Sequence, residues 1–458
     1  MARFRGGCFN CRQRRRRCDQ QRPSCAACLR RHVECSGYPA IHRWINHAAE
    51  ASIHPVHAAL DNSGPVSSQL PPAAQSSMMI PASPPMYESR TTQLLFRKFL
   101  NSGLMLLYKT QQHSWIQPFF INMSAESQSF AIMSAALQTY IDQGEACPSI
   151  PTLECVDIAL KTFRLEVASY RGGFPSGTIC SGILLCAIYL LQGRPYTQCL
   201  RMMAHMYHLT NPTLILVPSP EKDLTVRHAI EYLAVADLPY LVLGRVCSSL
   251  CIWKRYREAQ DDWEGGRVMG IDAFTGLHMG LLDIFGDMMH DNVDHSVTRL
   301  WEWPSETDDF MQRHLWDAWR FAGIIDARRR ERCRAKDQDM AVGGASTRVP
   351  VTSSLLGILM GTIHTVYACS LLPENRHLLA LNGLIYPLIV ASLEVPSLKQ
   401  HPEWKRTLDD VRRRFEMGRT YALSRLTFQL LDEAWEEGSS CFDIDHAARS
   451  KGVELAVM

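Results

Sequence analysis

Six of the sixteen cysteines in this 458-residue chain fall within residues 8 to 35, in the order Cys8-x2-Cys11-x6-Cys18-x6-Cys25-x2-Cys28-x6-Cys35. The half Cys8, Cys11, Cys18 recurs seventeen residues later as Cys25, Cys28, Cys35. Thiolates are soft ligands that shed a proton on binding and suit tetrahedral Zn2+, and a C-x2-C step lets both sulfurs reach one metal from the start of a helix. Six ligands are too many for one tetrahedral ion. Two ions need eight ligand positions between them, so two sulfurs must bridge, giving a compact cluster of two Zn2+ and six thiolates with formal charge −2. Among these cysteines stand only Phe9, Leu29 and Val33 as large apolar residues. Such a segment cannot bury enough surface to fold unaided. Metal binding must supply the folding free energy, on the order of 10 kcal/mol or more for structural zinc.

The N-terminus, Met1-Ala-Arg-Phe-Arg-Gly-Gly-Cys8, has no apolar run, so no secretory signal is expected and a reducing compartment is the natural setting. A disulfide scaffold fits that setting poorly. A metal-buffering thiol cluster lacks the long basic inserts seen here. Residues 1–45 hold eleven arginines against Asp19 and Glu34, a formal +9, while the whole chain is only +2. The other 413 residues therefore carry −7. A short, strongly basic head on a mildly acidic body points to a polyanionic partner for the head.

Cys11-Arg-Gln-Arg-Arg-Arg-Arg-Cys18-Asp19, followed by Arg22-Pro23-Ser24-Cys25-Ala-Ala-Cys28, resembles the fungal binuclear zinc cluster family of transcription factors. The likeness lies in the cysteine spacing, the basic run and the Pro before the fourth cysteine. It implies that Cys8 and Cys25 bridge, with one zinc held by Cys8, Cys11, Cys18 and Cys25 and the other by Cys8, Cys25, Cys28 and Cys35. It also implies double-stranded DNA as partner, with the short helix after the second cysteine in the major groove and basic side chains at its end reading a CGG-like triplet. By position those are Arg14 and Arg15. Arginine chemistry agrees, since a guanidinium donates two hydrogen bonds to guanine O6 and N7, roughly 1–3 kcal/mol of discrimination for each good pair. Arg12, Arg16, Arg17, Arg22, Arg30 and Arg31 are assigned to phosphates as a group. The sequence departs from the family habit of Lys in the basic run, having no Lys before Lys98. Arg and Lys fork onto bases differently, which bears on the triplet read. The resemblance implies a nuclear regulator of RNA polymerase II transcription and no enzyme.

The elements behind the head read as follows. Residues 46–89 are low in charge and rich in Pro, Ser and Ala, including Pro55, Pro65, Pro71, Pro72, Pro81, Pro84 and Pro85, the composition of a flexible linker. Ile41, Ile45 and Ala48 begin a heptad run, but Pro55 stops it short of a coiled coil. From about Thr91 the apolar spacing becomes helical. Leu95, Phe96, Phe99 and Leu100 follow steps of 3 and 4, as do Val226, Ile230, Leu233, Leu238 and Leu241 around a kink expected at Pro239. The stretch 179–191 is apolar all round and should be a central helix. Leu408, Val411, Phe415, Ala422, Leu426 and Leu430 form one stripe, with Asp409–Arg413 and Asp410–Arg414 pairs on its wet side. Strand-like runs are few, 214–217 being the best. The fold class expected is thus a small metal-dependent binuclear zinc cluster domain (1–45), a linker (46–89), a large all-α helical domain (90–438) and a C-terminal tail (439–458).

More diffusely, the body resembles the helical regulatory domain that follows the cluster in many fungal transcription factors, through Tyr386-Pro-Leu-Ile-Val-Ala391 and Leu430-Leu-Asp-Glu-Ala-Trp435. That implies modulation by an inducer, a coactivator or corepressor, or homodimer formation through the helical domain. The uncharged stretch 349–373 is read as a buried core helix and no membrane partner is expected. Enzyme signatures are lacking: Gly265-Gly266-Arg-Val-Met-Gly270 is no dinucleotide fingerprint. His205 and His208 without a third partner read as structural, and Cys247 with Cys251 as core cysteines. Arg328 to Lys336 reads as a solvated helix end, with an import signal or second DNA contact as the alternatives. Six acids between Asp432 and Asp445 interleave with Trp435, Phe442 and Ile444, a composition that can recruit coactivators or simply fray. Two rival functions remain at this point: a chromatin-tethered ligand sensor or enzyme, and a nuclear adaptor or repressor acting through protein contacts.

Overall fold

The computed structural model describes residues 11, 14, 18, 19, 25–31, 33 and 35 of the head, and 90–457 except 108–114, 145–146, 171–174, 207–223, 290, 338–347, 373–374, 376–379 and 418–420. The chain divides into two compact units, Met1–Ser67 and Ser68–Met458. In the first, the described regular element is one helical turn, α1 (Ala26–Leu29). The expected linker, the heptad start and the strand-like run 214–217 lie outside the described residues.

The second unit is helical and is built around α2 (Gln128–Gln143), α3 (Ile150–Ser169) and α4 (Ser176–Leu191). As its all-round apolar sequence requires, α4 is buried on most of its circumference and packs against α2 and the neighbouring helices Ile116–Glu126, Thr197–Met206 and Leu224–Ala236. Gly182 allows one of these approaches: a Cβ there would lie 1.9 Å from Met203 Sδ. Buried polar groups on these helices answer one another. Ser129 Oγ donates to Ser181 Oγ at 2.8 Å, and Glu166 accepts from Ser127 Oγ, Ser129 N and Thr178 Oγ1, tying α3 to its neighbours.

The helix carrying Val226, Ile230 and Leu233, α5 (Leu224–Ala236), does not kink at Pro239 but stops short of it. Pro239 instead opens a 3-10 turn, because a proline ring fits the first turn of a new element and not the interior of an old one. Strand β1 (Val242–Leu243) follows. The loop after it wraps around the Asp237 carboxylate, which accepts from Ser249 Oγ at 2.8 Å, Leu250 N at 2.9 Å and the Arg245 guanidinium. Cys247 and Cys251, expected in the core, are half-buried residues of this loop, and Cys251 has a left-handed backbone at φ 54°.

The longest helix is α6 (Phe310–Asp337), against which α7 (Thr352–Ser370) packs. Trp319, fully buried on α6, donates its indole N–H to Gly383 O at 2.6 Å. Among the described residues α7 is the one helix long and apolar enough to cross a membrane. Its Leu355, Leu359, Ile363 and Val366 face is buried in the core, while Ile358 on another face is exposed. The stripe read from Leu408 to Leu430 proves to be two helices, α8 (Pro402–Glu416) and α9 (Ala422–Glu437). The ion pairs there also differ from expectation: Asp409 pairs with Lys405, Asp410 with Arg413, and Arg412 with Glu416 and Asp432.

Residues 439–458, expected as a tail, contain α10 (Ile444–Ser450) and β2 (Leu455–Ala456), and β2 pairs antiparallel with β1, Val242 opposite Ala456. Leu455 and Val457 are in the core, and so is the Glu454 carboxylate, which accepts from Tyr196 N at 2.7 Å and Thr197 N at 2.8 Å. Gly244 permits the closure. Its φ is +72° and a Cβ there would meet Val453 O at 2.3 Å. The acidic and aromatic stretch 432–445 is likewise structural: Phe442 and Ile444 are buried, Glu433 pairs with Lys451, and Asp443 caps α10 by accepting from His446 N.

Four arginines of the basic run on α6 are engaged by the body, and Arg334 beyond them is exposed. Arg328 donates to Pro350 O at 2.6 Å and Arg332 pairs with Glu394. Buried Asp326 accepts from Arg329 at 2.9 Å and from Arg330 at 2.9 Å, and Arg330 continues to Asp445 at 2.8 Å. Burial alone would push the Asp326 carboxyl up, but Arg330 and Arg329 together hold it below the ordinary carboxylate value. Arg330 thus bolts α6 to α10.

Candidate metal centre

Local backbone geometry helps to bring the cysteine sulfurs together. Cys25 sits at the N-cap of α1 with extended backbone (φ −73°, ψ 148°), and its Sγ accepts from Cys28 N at 3.3 Å. The C-x2-C spacing thus turns both sulfurs to one side of the first helical turn. Asp19 fixes that turn from outside, its two carboxylate oxygens each 3.1 Å from Ala26 N. Capping of this kind satisfies an N–H that a four-residue helix cannot satisfy itself.

Around this turn the thiols converge. Cys11, Cys25 and Cys28 are buried, with sulfurs all within 4.8 Å of one another, and Cys11 Sγ lies 3.7 Å from Cys25 Sγ. Two thiolates on one tetrahedral zinc, each about 2.3 Å from the metal, are about 3.8 Å apart, so the observed separation is that of neighbouring ligands. A second group, Cys18, Asp19 and Cys25, meets the same 4.8 Å limit. Cys25 belongs to both groups. Asp19 is exposed and its oxygens are engaged by Ala26 N, so it orients the loop, while the soft sulfurs are the donors that suit zinc. Cys18 and Cys35 are half-buried at the edge of the cluster, with Val33 packed against it.

An all-thiolate set leaves no open coordination position, which is the signature of a structural site and not of a catalytic one. Among the described cysteines none is in a disulfide. Of the base- and phosphate-contact candidates, Arg14, Arg30 and Arg31 are exposed. Cys8, Arg12, Arg15, Arg16, Arg17 and Arg22 lie outside the described residues. Asp19 is the residue that sequence reasoning passed over. Its signal was its place directly after Cys18 in the quoted motif, but its service to a turn seven residues on depends on how the loop returns.

Residues 6–45 match the family described as the fungal Zn(2)-Cys(6) binuclear cluster domain. No curated protein and no solved structure matches the chain. The match does not extend into the body. The head is thus similar to the zinc-binding domain of a family of DNA-binding transcription factors, and the convergent thiols are placed as such a domain needs.

Proposed function

We propose that the protein is a nuclear, zinc-dependent regulator of RNA polymerase II transcription that reads CGG-like triplets through its head. Two zinc ions share Cys8 and Cys25, with Cys11 and Cys18 completing one site and Cys28 and Cys35 the other. Arg14 and Arg15 donate to guanine edges in the major groove. Arg12, Arg16, Arg17, Arg22, Arg30 and Arg31 hold phosphates and set the register. The observation that carries this reading is the position of Cys25, fully buried and common to both thiol groups, as a bridging thiolate must be. The exposure of Arg14, Arg30 and Arg31 and the +9 charge of residues 1–45 support it. In this reading 46–89 is the linker, and the regulatory body runs from 90 past 438 to include β2.

Binding-site selection by the zinc-loaded full chain from random duplexes tests the proposal. A CGG-like triplet should be enriched, Arg15→Ala should relax the preference at that triplet with zinc still bound, and log K should fall with log salt by about 0.9 per neutralised phosphate. Whether the selected triplets are single, inverted or direct repeats reports the number of protomers engaged. Salt-sensitive binding with no enriched sequence would sink the specific reading.

A further inference from the structure

Between α4, α5, α8, α9 and β2 the body holds an open-mouthed cavity of about 490 Å3. Packed interiors keep few voids larger than a water molecule, and small-molecule sites occupy about 300–1,000 Å3, so a hollow of this size in an otherwise close-packed core has the dimensions of a binding site. Leu190, Leu191, Val235, Ile385 and Phe415 supply apolar walls, and polar side chains that include Asn382, Arg414, Ser424 and Thr427 line it as well. Arg414 is the cation among them. Its expected partner Asp410 is taken by Arg413, and among the described residues no carboxylate is paired with Arg414.

A smaller pocket of about 30 Å3 abuts the first, with Leu107, Ala187, Tyr232 and Phe274 lining both. Beyond those shared residues the smaller pocket is walled mainly by Phe119, Phe120, Phe130 and the ring of His228, whereas Asn382, Arg414 and Ser424 line the larger one alone. The combined space is thus polar and cationic in one part and aromatic and aliphatic in the other.

We infer that this cavity binds an elongated amphipathic monocarboxylate, an aliphatic or arylalkyl acid. The carboxylate meets the Arg414 guanidinium, whose planar fork fits two carboxylate oxygens, and Ser424 and Asn382 are at hand for the remaining lone pairs. The chain of the acid lies along Leu190 and Ile385 toward Tyr232 and Phe274. One exposed cation at the rim of an apolar hollow favours a single negative charge at one end of the ligand: a second carboxylate at the far end would be buried unpaired, and an amine would face Arg414. The inference concerns the body alone and does not depend on the DNA-binding reading of the head.

The test uses the zinc-loaded full chain and dodecanoate below its micelle concentration, with 1-dodecanol as the uncharged control. Calorimetric titration should show saturable one-to-one binding of dodecanoate, and the ligand should raise the melting temperature. Arg414→Ala, at an exposed position that leaves the core packed, should weaken dodecanoate about tenfold or more and change dodecanol affinity less than about twofold. Ser424→Phe, which puts a ring into the cavity beside Arg414, should weaken both. No saturable binding to the wild type overturns the inference, and so does equal dodecanoate affinity in the wild type and Arg414→Ala. Undiminished binding to Ser424→Phe with its helical spectrum intact moves the ligand elsewhere and overturns it as well.

Discussion

Two residues show how differently chemistry can be read from a sequence. Cys25 contributes to both thiol groups, whereas Cys35 stands at the edge of the cluster, so removing them should not be equivalent. Cys25→Ser is expected to release nearly all zinc and unfold the head, and Cys35→Ser to retain about half the metal, as measured by zinc per chain after dialysis. Equal retention in the two variants would show that Cys25 is not shared. The cysteines were legible in the sequence because ligand chemistry resides in the residue and its spacing. Glu231 was not. It sits one step from Ile230 in an apolar helical run, and only the packing shows that it is buried, accepting from Tyr256 at 3.1 Å with Arg227 at 3.5 Å. Burial raises its pKa from 4.5 to about 7, outweighing the opposing pull of Arg227. A raised carboxyl pKa means that the folded state holds the proton more tightly, so its stabilisation is full below pH 4.5 and is lost as pH rises through 7. Buried Asp272, raised by its own burial to about 6, adds a loss of the same sign. Melting curves between pH 5 and 8 should therefore fall more steeply for the wild type than for Glu231→Gln. A stability gap between the two that is constant with pH would contradict this assignment.

At the scale of elements, the α6 run Arg328–Lys336 is the instructive case. By composition it could have served import, DNA or solvent, and what decides is whether acids from remote elements meet it. Asp445 and Glu394 do so, and no local pattern announces either. Truncating Arg330 leaves buried Asp326 with one partner fewer, so Arg330→Ala should destabilise the body by about 3–5 kcal/mol in urea unfolding, with DNA affinity unchanged. Lost DNA binding with unchanged stability would return the run to the role of a nucleic-acid contact. The mostly helical character of the body and the central place of 179–191 were legible from apolar spacing alone, because burial on every side leaves its mark on every position. The two-residue strands β1 and β2 were not, since strands that short carry no period of their own and exist only because 200 residues of helix bring their partners together. The same dependence explains 439–458, expected as a tail: Phe442, Ile444, Leu455 and Val457 all reach the core, and the partners that bury them lie far off in sequence.

For the whole molecule, the division into a +9 head and a mildly acidic body matches two different sources of stability. The head depends on metal, having almost no apolar interior of its own, and the body depends on a large hydrophobic core that includes Trp319, Phe285 and Tyr256. Chelation of the full chain should therefore abolish DNA binding while leaving the cooperative melting transition of the body within about 2 °C of its original midpoint. Loss of the body's helical signal on chelation would show that the two are folded as one. The pairing of β1 with β2 has a further consequence, for the timing of synthesis. The ligands of the head have all left the ribosome once residue 35 has emerged, but the core of the body stays open until residues 455–457 emerge to close it. At translation rates of about 5–20 residues per second, that interval is roughly 20–80 s. During it a nascent chain carries a head complete enough to take up metal beside a body with its last seam unclosed, so chaperones have that long to occupy the apolar surface which the C-terminal strand will finally cover.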